Sequence, residues 1–568
     1  MPKAPAADVE VGAFVARTTA ELASIARPAV VVIPDQNTWN DYGRRYYATL
    51  VVLTPEGGDR DASFTFRLMF EGSGDTDVAL RGMLTAAGRP IPLPDIITPF
   101  CSLLSEASDY GAIIALLGFD AGIIALRHLR DVVLAEIENE SQHDREAMQL
   151  SNSVEFHVGV IRSSGRYTAL RRGGRYLRPY QPPEVEDSAS SFSITARLPG
   201  SDLPVEVEFD FSPDEIFEDR ICLLIGRNGV GKTQLINALI YALTESNRGD
   251  EPADGLDPVL SPKPPVSRTI VFSSANSDPY PRKIAPWRGI DYDYRAMAHD
   301  MMPLGAPFMA SILDCMRDDG ATFGGDSRYT RFSLLEFVLD RLGLFRRLYL
   351  PLKADADASD FISSVELHGT RYVSIKQRLN ERQENELIAA VDRERSAIML
   401  SNSMEVRSLS SGEVAMMQFC AHAVAAIEPG SLLLLDEPET HLHPNFVTEF
   451  MDILQDLLAR TRSIAIVASH SAYVLREVPR QRVNVLYVEG STTLTVQPRL
   501  QTFGGNIEEL SRFVFQDGEV SPRHRRRLEE WALSNAESLD MDGILERYGD
   551  RLSPMTLSII ARTLRGRV

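Results

Sequence analysis

The residues with the plainest chemical potential lie at 221–243, ICLLIGRNGVGKTQLINALIYAL, where an apolar strand runs into a glycine-rich turn and then an apolar-periodic helix. The turn comprises Gly226, Arg227, Asn228, Gly229, Val230, Gly231, Lys232 and Thr233. Its glycines let successive backbone N–H groups face phosphate oxygens, and the helix that follows offers its positive dipole end. Lys232 is placed to reach β- and γ-phosphates, and the Thr233 hydroxyl to ligate Mg²⁺. The pattern predicts a site for a nucleoside triphosphate.

Three further constellations share that chemistry. In SLLLLDEPETHLHP at 431–444 a buried strand ends in Asp436 and Glu437. An acid at such a strand end reaches the Mg²⁺ beside the phosphate loop, and the next carboxylate is placed to polarise the attacking water. Upstream, LSSGE at 409–413 opens an apolar helix with Ser410, Ser411, Gly412 and Glu413 at its start. Alone this reads as an ordinary N-cap; just ahead of the acidic strand it reads as a second phosphate-binding helix terminus. Finally, SIAIVASHS at 463–471 is a strand ending at His470, on the edge where a γ-phosphate would lie.

Taken in order, GRNGVGKT, LSSGE, LLLLDEP and ASH resemble the motif set of ABC-type ATPases. The tail EPETHLHP resembles the soluble AAA-15/AAA-21 group, which includes OLD-like and RecF-like ATPases. The resemblance spans roughly 190–510 and implies an α/β fold: an ABC-type ATPase head with the mixed sheet and helices of a P-loop NTPase. It implies ATP and Mg²⁺ as ligands, Thr233 and Asp436 on the metal, and Glu437 and His470 as catalytic residues. It also implies that Ser410, Ser411, Gly412 and Glu413 act in trans on a second subunit's nucleotide, so that a homodimer forms through the heads, with higher assembly left open. Two departures stand out: LSSGE replaces LSGGQ, and no glutamine of the Q-loop type follows the strand TIVFSSA at 269–275.

The surrounding 568 residues must position these groups. Residues 1–185 read as an N-terminal α+β accessory domain, 186–500 as the ATPase domain with a mostly helical insertion at 276–405, and 501–568 as a small helical region. VEFHVGVIR and RYTALRR read as strands, DRLGLFRRLYL and RLNERQENELIAAV as helices of the insertion, and no sustained heptad repeat supports a long coiled-coil arm. The scattered Cys101, Cys222, Cys315 and Cys420 argue against a disulfide framework or zinc site. GAIIALLGFDAGIIAL at 111–126 is broken by Asp120 and too short to span a bilayer, so a buried helical pair is expected. With no signal-peptide pattern at the start, a cytoplasmic protein without membrane contact is expected.

Charge narrows the partners. Fifty-nine basic against 79 acidic residues, a net of −20, exclude wholesale coating of nucleic acid. One strip at 162–180 still suits DNA or RNA, with Arg162, Arg166, Arg171, Arg172, Arg175 and Arg178 interleaved with tyrosines. Its other reading is an arginine patch docked on acidic neighbours. No convincing Toprim nuclease segment follows the head. The leading expectation is therefore the sensor or motor of a bacterial anti-phage or mobile-element defence system with a separately encoded effector protein, such as a nuclease or toxin. The alternatives are a DNA-repair or chromosome-maintenance ATPase of RecF/SMC-like type and an ATP-stapled protein scaffold.

Overall fold

The computed structural model describes residues 10–35, 44–161, 164–177, 190–212, 220–244, 256–274, 278–282, 291–297, 304–318, 322–323, 329–354, 356, 364–376, 381–515, 522–535, 541–548, 552 and 554–565.

The first unit is built on β1 (Gly12–Val15), β2 (Ala29–Pro34), β3 (Tyr47–Leu53), β4 (Ala62–Phe70), β5 (Ile91–Pro92) and β6 (Phe100–Leu104). They lie in the order β5-β1-β2-β3-β4-β6, with β1 and β2 parallel and the other neighbours antiparallel. β2 is apolar throughout because both faces are covered. Val30 and Val32 join the main core of this unit, whereas Ala29, Val31 and Ile33 pack with Ile25 and Leu53 on the opposite face.

Seven helices complete the unit: α1 (Thr76–Ala87), α2 (Ala107–Leu117), α3 (Phe119–His128), α4 (Val132–Glu138), α5 (Gln142–Ser151), α6 (Val154–Gly159) and α7 (Ser164–Arg172). α2 and α3 are the expected buried pair, split at Gly118. The stretches expected as strands, VEFHVGVIR and RYTALRR, are instead α6 and α7. Ser153 caps α6 by accepting the Phe156 N–H at 3.2 Å, and α7 is rich in the helix formers Ala, Leu and Arg. Tyr167 and Leu170, one turn apart, face the core. Local aromatic and β-branched content had pointed to strand; a cap and one apolar face decided for helix.

The second unit opens with β7 (Phe192–Ala196) and β8 (Val205–Phe209), continues through β9 (Ile221–Ile225) and α8 (Lys232–Thr244), and adds β10 (Val259–Ser261), β11 (Arg268–Ser273) and β12 (Asp291–Ala296). Next come α9 (Ala306–Arg317), β13 (Thr322–Phe323), β14 (Tyr329–Thr330), α10 (Arg331–Arg341), β15 (Leu348–Pro351), β16 (Ser364–Leu367), β17 (Thr370–Ser374), α11 (Glu381–Ala390) and β18 (Ile398–Met399). The chain returns through α12 (Ser411–Ala426), β19 (Leu432–Asp436), α13 (Pro444–Thr461), β20 (Ile464–Ser469), α14 (Ala472–Leu475), β21 (Val483–Glu489) and β22 (Thr492–Val496).

Seven of these strands form the central sheet, β12-β11-β19-β20-β9-β21-β22, parallel except at the β21–β22 edge. Leu433, Leu435, Ala465 and Val467 point into one core and Leu432, Leu434, Ile464 and Ile466 into the other. Burial on both faces is why these strands are unbroken apolar runs. β7, β8 and β10 form a separate antiparallel sheet.

The insertion is mixed rather than mostly helical. β12 belongs to the central sheet, and β16-β17-β15-β18 form an antiparallel sheet of their own. His368 and Gly369, both at positive φ (51° and 75°), turn the β16–β17 hairpin. α10 stops at Arg341, Gly343 takes φ 65°, and LYLP becomes β15, so only Asp340 and Arg341 of DRLGLFRRLYL belong to α10. RLNERQENELIAAV does contain a helix, α11. α9 and α10 share one apolar core with α12, tying the insertion to the helix that carries LSSGE.

Of the last helices, α15 (Ile507–Phe515) seats Leu510 and Val514 in the central core. α16 (Pro522–Asn535), α17 (Met541–Tyr548) and α18 (Pro554–Arg565) surround Ala532, Ile544 and Ile560. Among the described residues no helix is long and apolar enough to cross a membrane. All four cysteines are buried thiols.

Candidate nucleotide-binding site

β9, β20, β19 and β11 are successive parallel neighbours, so their carboxyl ends share one edge. β9 feeds residues 226–231, β20 ends at Ser469 beside His470, β19 ends at Asp436 beside Glu437, and β11 leads to Ser274. The placement of β20 between β9 and β19 puts His470 between the phosphate loop and the acidic pair.

The loop is shaped for close approach. A Cβ at Gly226 would stand 2.4 Å from the Leu486 carbonyl oxygen, and Gly231 holds φ +105°, open essentially to glycine. Arg227, Asn228 and Gly229 are exposed at its tip, while Val230 is buried beneath. Lys232 is buried and folds back over the loop, its Nζ donating to the carbonyls of Gly226 (3.0 Å) and Arg227 (3.2 Å). Burial lowers the Lys232 pKa, and Glu437 and Asp436 oppose that shift.

Asp436 stands opposite Thr233. One carboxylate oxygen, Oδ2, accepts from Thr233 Oγ1 at 2.9 Å and from the Tyr280 hydroxyl at 2.6 Å. The other, Oδ1, is buried with no hydrogen-bond partner among the described residues. Burial raises the Asp436 pKa against the two donors. A buried carboxylate oxygen without a donor, next to a hydroxyl at a helix start, fits a divalent cation.

Glu437 adopts φ 51° and ψ 51°, left-handed backbone that costs a non-glycine residue about 1–3 kcal/mol. Its N–H donates to Ala468 O at 2.8 Å and its carbonyl accepts from Ser274 Oγ at 3.0 Å, which clamps it between β20 and β11. The turned backbone aims the carboxylate at the loop: Oε1 lies 4.0 Å from Lys232 Nζ and 3.2 Å from His470 Nδ1. Behind them sits Glu439, buried, accepting from Ser469 Oγ at 2.5 Å and the His470 N–H at 3.2 Å. Burial raises the Glu439 pKa, with the Ser469 hydrogen bond acting against it.

The LSSGE residues are on another element. Ser410 is the N-cap of α12 and forms a capping box with Glu413: the Glu413 N–H donates to Ser410 Oγ at 3.3 Å and the Ser410 N–H to Glu413 Oε2 at 2.9 Å. Ser410 and Ser411 are exposed and Gly412 is buried. Against the opposing effect of burial, the Ser410 hydrogen bonds and then the Arg407 pair lower the Glu413 pKa.

Among the described residues, several arginines of the strip are engaged by neighbouring side chains. Arg172 is mostly buried and bonds to Asp318 and, at 3.0 Å, to Glu428; Arg171 pairs with Asp314 at 3.1 Å. Tyr167 and Thr168 bond to Asp314 and Asp318 from the same helix. Arg175 donates to Tyr176 at 2.6 Å, and Arg166 sits 5.8 Å over the Tyr47 ring. Arg162 and Arg178 lie outside the described residues. Arg171 and Arg172 pair with acids of the second unit, as the alternative reading of the strip expected, and Arg171 remains exposed.

Two site residues escaped the sequence reading. Tyr280 follows β11 on the segment where a glutamine of the Q-loop type would stand. Glu439 was hidden in the EPET run, though a third acid within four residues of Asp436 was a signal for it.

Residues 354–476 match the AAA-21 family, described as "AAA domain, putative AbiEii toxin, Type IV TA system". Protein ea59 of Escherichia phage lambda is 26% identical over 501 residues, covering 84% of each chain. Among solved structures, the SMC head domain from Thermotoga maritima shows a faint likeness, with 12% identity, 55% of this chain and 100% of that one, and a TM-score of 0.27. The ADP conformation of MJ1267, an ATP-binding cassette of an ABC transporter, is as faint: 12%, 59% and 97%, with 0.27. The phosphate loop, acidic pair and histidine share one sheet edge, and the family match runs across LSSGE, DEPETHLHP and His470, so over residues 354–476 the chain is similar to the AAA-21 family.

Proposed function

We propose that this chain hydrolyses ATP at two composite sites of a head-to-tail homodimer. In this reading it is the sensor or motor of a bacterial anti-phage or mobile-element defence system whose effector is a separately encoded protein. The observation that carries the ATPase part is the gathering of Lys232, Thr233, Asp436, Glu437 and His470 on one edge while the N-terminus of α12 stays exposed on another element. The family description, which names a toxin of a type IV system, and a relative encoded by a phage support the defence setting.

The chemistry follows from the geometry. Lys232, now on loop carbonyls, exchanges them for triphosphate oxygens. Glu437, held by strained backbone and flanked by two cationic or donor groups, is the carboxylate that orients the attacking water and takes its proton. His470, fixed through its N–H by Glu439, keeps its ring beside Glu437 and the γ-phosphate position. Mg²⁺, held by Thr233 and the vacant Oδ1 of Asp436, would neutralise charge on the phosphate oxygens. Ser411 and the exposed start of α12 supply N–H groups to the partner's nucleotide.

Glu437→Gln tests this reading. It is expected to retain ATP and to shift the protein from monomer to dimer in light scattering; a variant that neither traps ATP nor dimerises more than wild type contradicts it. The DNA-maintenance alternative loses support at Arg172, whose guanidinium is engaged by Asp318 and Glu428.

A further inference from the structure

Asp436 is gripped on one side only. Thr233 and Tyr280 both donate to Oδ2, and Oδ1 is left buried and, among the described residues, unpartnered. A carboxylate can rotate about its last torsion, so the direction of Oδ1 depends on what holds Oδ2. Thr233 alone is a poor anchor, since its own hydroxyl is to serve as a ligand. Tyr280 is a better one: it is 3% exposed, and its hydroxyl donates to Oδ2 at 2.6 Å without being needed as a ligand itself.

Tyr280 is itself braced. Its N–H donates to Asp278 Oδ1 at 3.2 Å, and Asp278 Oδ2 accepts from Tyr294 at 2.7 Å. Tyr292 donates to the Pro281 carbonyl at 2.7 Å, and Arg282 stacks 4.0 Å from the Tyr294 ring. Residues 278–282 are thereby strapped to β12, the edge strand, whose Tyr292 and Tyr294 also pack against the adjoining core. Groups that orient a ligand without touching the metal commonly change metal affinity by about 10–100-fold.

We propose that Tyr280 is a positioning residue for the nucleotide-bound divalent cation: its phenol pins Oδ2 of Asp436 so that Oδ1 faces the metal. This rests on the Mg²⁺-ATP reading given above. It also supplies an orienting group on the segment after β11, where no glutamine stands.

The test uses the full chain and a fluorescent ATP analogue, with binding measured in EDTA and then across a Mg²⁺ titration. For Tyr280→Phe, metal-free affinity and thermal melting are expected to match wild type, while half-saturating Mg²⁺ rises about ten-fold. Tyr294→Phe, which cuts only the brace on Asp278, is expected to raise it about two- to three-fold by the same logic and serves if Tyr280→Phe does not fold. Unchanged or lower half-saturating Mg²⁺ in a folded Tyr280→Phe would overturn the proposal, showing that the phenol only packs or competes with the ion. If wild type itself shows nucleotide binding indifferent to Mg²⁺, the Mg²⁺-ATP reading falls, and this proposal with it.

Discussion

Arg172, in the last turn of α7, donates to Glu428, two residues beyond the end of α12, at 3.0 Å. The contact is one strand of a buried network. Asp318 accepts from Arg172, from Thr168 at 2.8 Å and from Arg331 at 2.8 Å, and Arg331, fully buried, also bonds to the Val424 carbonyl in the last turn of α12. Arg268 adds a bond to the Ala426 carbonyl at 2.9 Å. The cations thus sit at the negative end of the helix that begins with LSSGE. The first unit is joined to the C-terminal end of the helix whose exposed N-terminus is the one proposed to meet a partner's nucleotide.

Removing one member should be costly. Arg172→Met leaves Asp318 and Glu428 short of counter-charge in a buried setting, and is expected to destabilise by about 3–5 kcal/mol. Urea unfolding reads the loss, and hydrogen exchange should place it in α7 and the last turn of α12 before α8. Arg172→Lys is expected to restore only part, because a single ammonium cannot serve both acids as the guanidinium does.

The loop glycines should be intolerant. Gly226→Ala drives a methyl against the Leu486 carbonyl, which is backbone and cannot step aside. Nucleotide binding, measured with the same fluorescent analogue, is expected to fall at least ten-fold, whereas Gly229→Ala, at positive φ but in open space, should cost the backbone penalty of about 1 kcal/mol or slightly more.

His422 gives a pH dependence. It lies on α12, buried, with Nδ1 2.8 Å from Ser311 Oγ on α9, and burial pushes its pKa down to about 4. A group whose folded pKa lies below its unfolded one contributes stability that is present above about 6.5 and is lost as pH falls towards 4. That stability is on the order of 3 kcal/mol from the gap between the two values. Melting temperature should therefore drop between pH 6.5 and 4, and His422→Gln should flatten part of that drop.

Lys232 offers the opposite limb. Its depressed pKa means that the ammonium is lost at lower pH than in a solvated lysine. ATP affinity is expected to weaken on the alkaline side, and Lys232→Ala to remove both the affinity and its pH dependence.

Much of the site was legible because strand-end motifs carry their own geometry. Residues such as Lys232, Asp436 and His470 follow apolar runs that bury on both faces, so their placement on one edge follows from a parallel sheet. What stayed hidden depends on contacts distant in sequence. Tyr280 bonds to a residue 156 positions away, and Arg172 to one 256 positions away. The strip around Arg172 illustrates the difficulty: composition alone makes a phosphate-binding surface and an acid-docked helix look alike. The insertion was misread for a local reason, since the turn at His368–Gly369 and the break at Gly343 weigh little in a window dominated by helix formers.

The composite site is the central claim, and trans-complementation tests it most directly. Lys232→Ala disables the phosphate loop; Ser411→Glu sets a repelling charge at the exposed start of α12, where an acid suits the helix dipole and leaves the fold intact. Each variant alone is expected to be inactive. Co-expressed with different tags, half of the dimers are mixed and each mixed dimer has one intact site, so hydrolysis should return to about a quarter of the wild-type rate. A doubly tagged pool as inactive as either parent would contradict a site shared between two subunits.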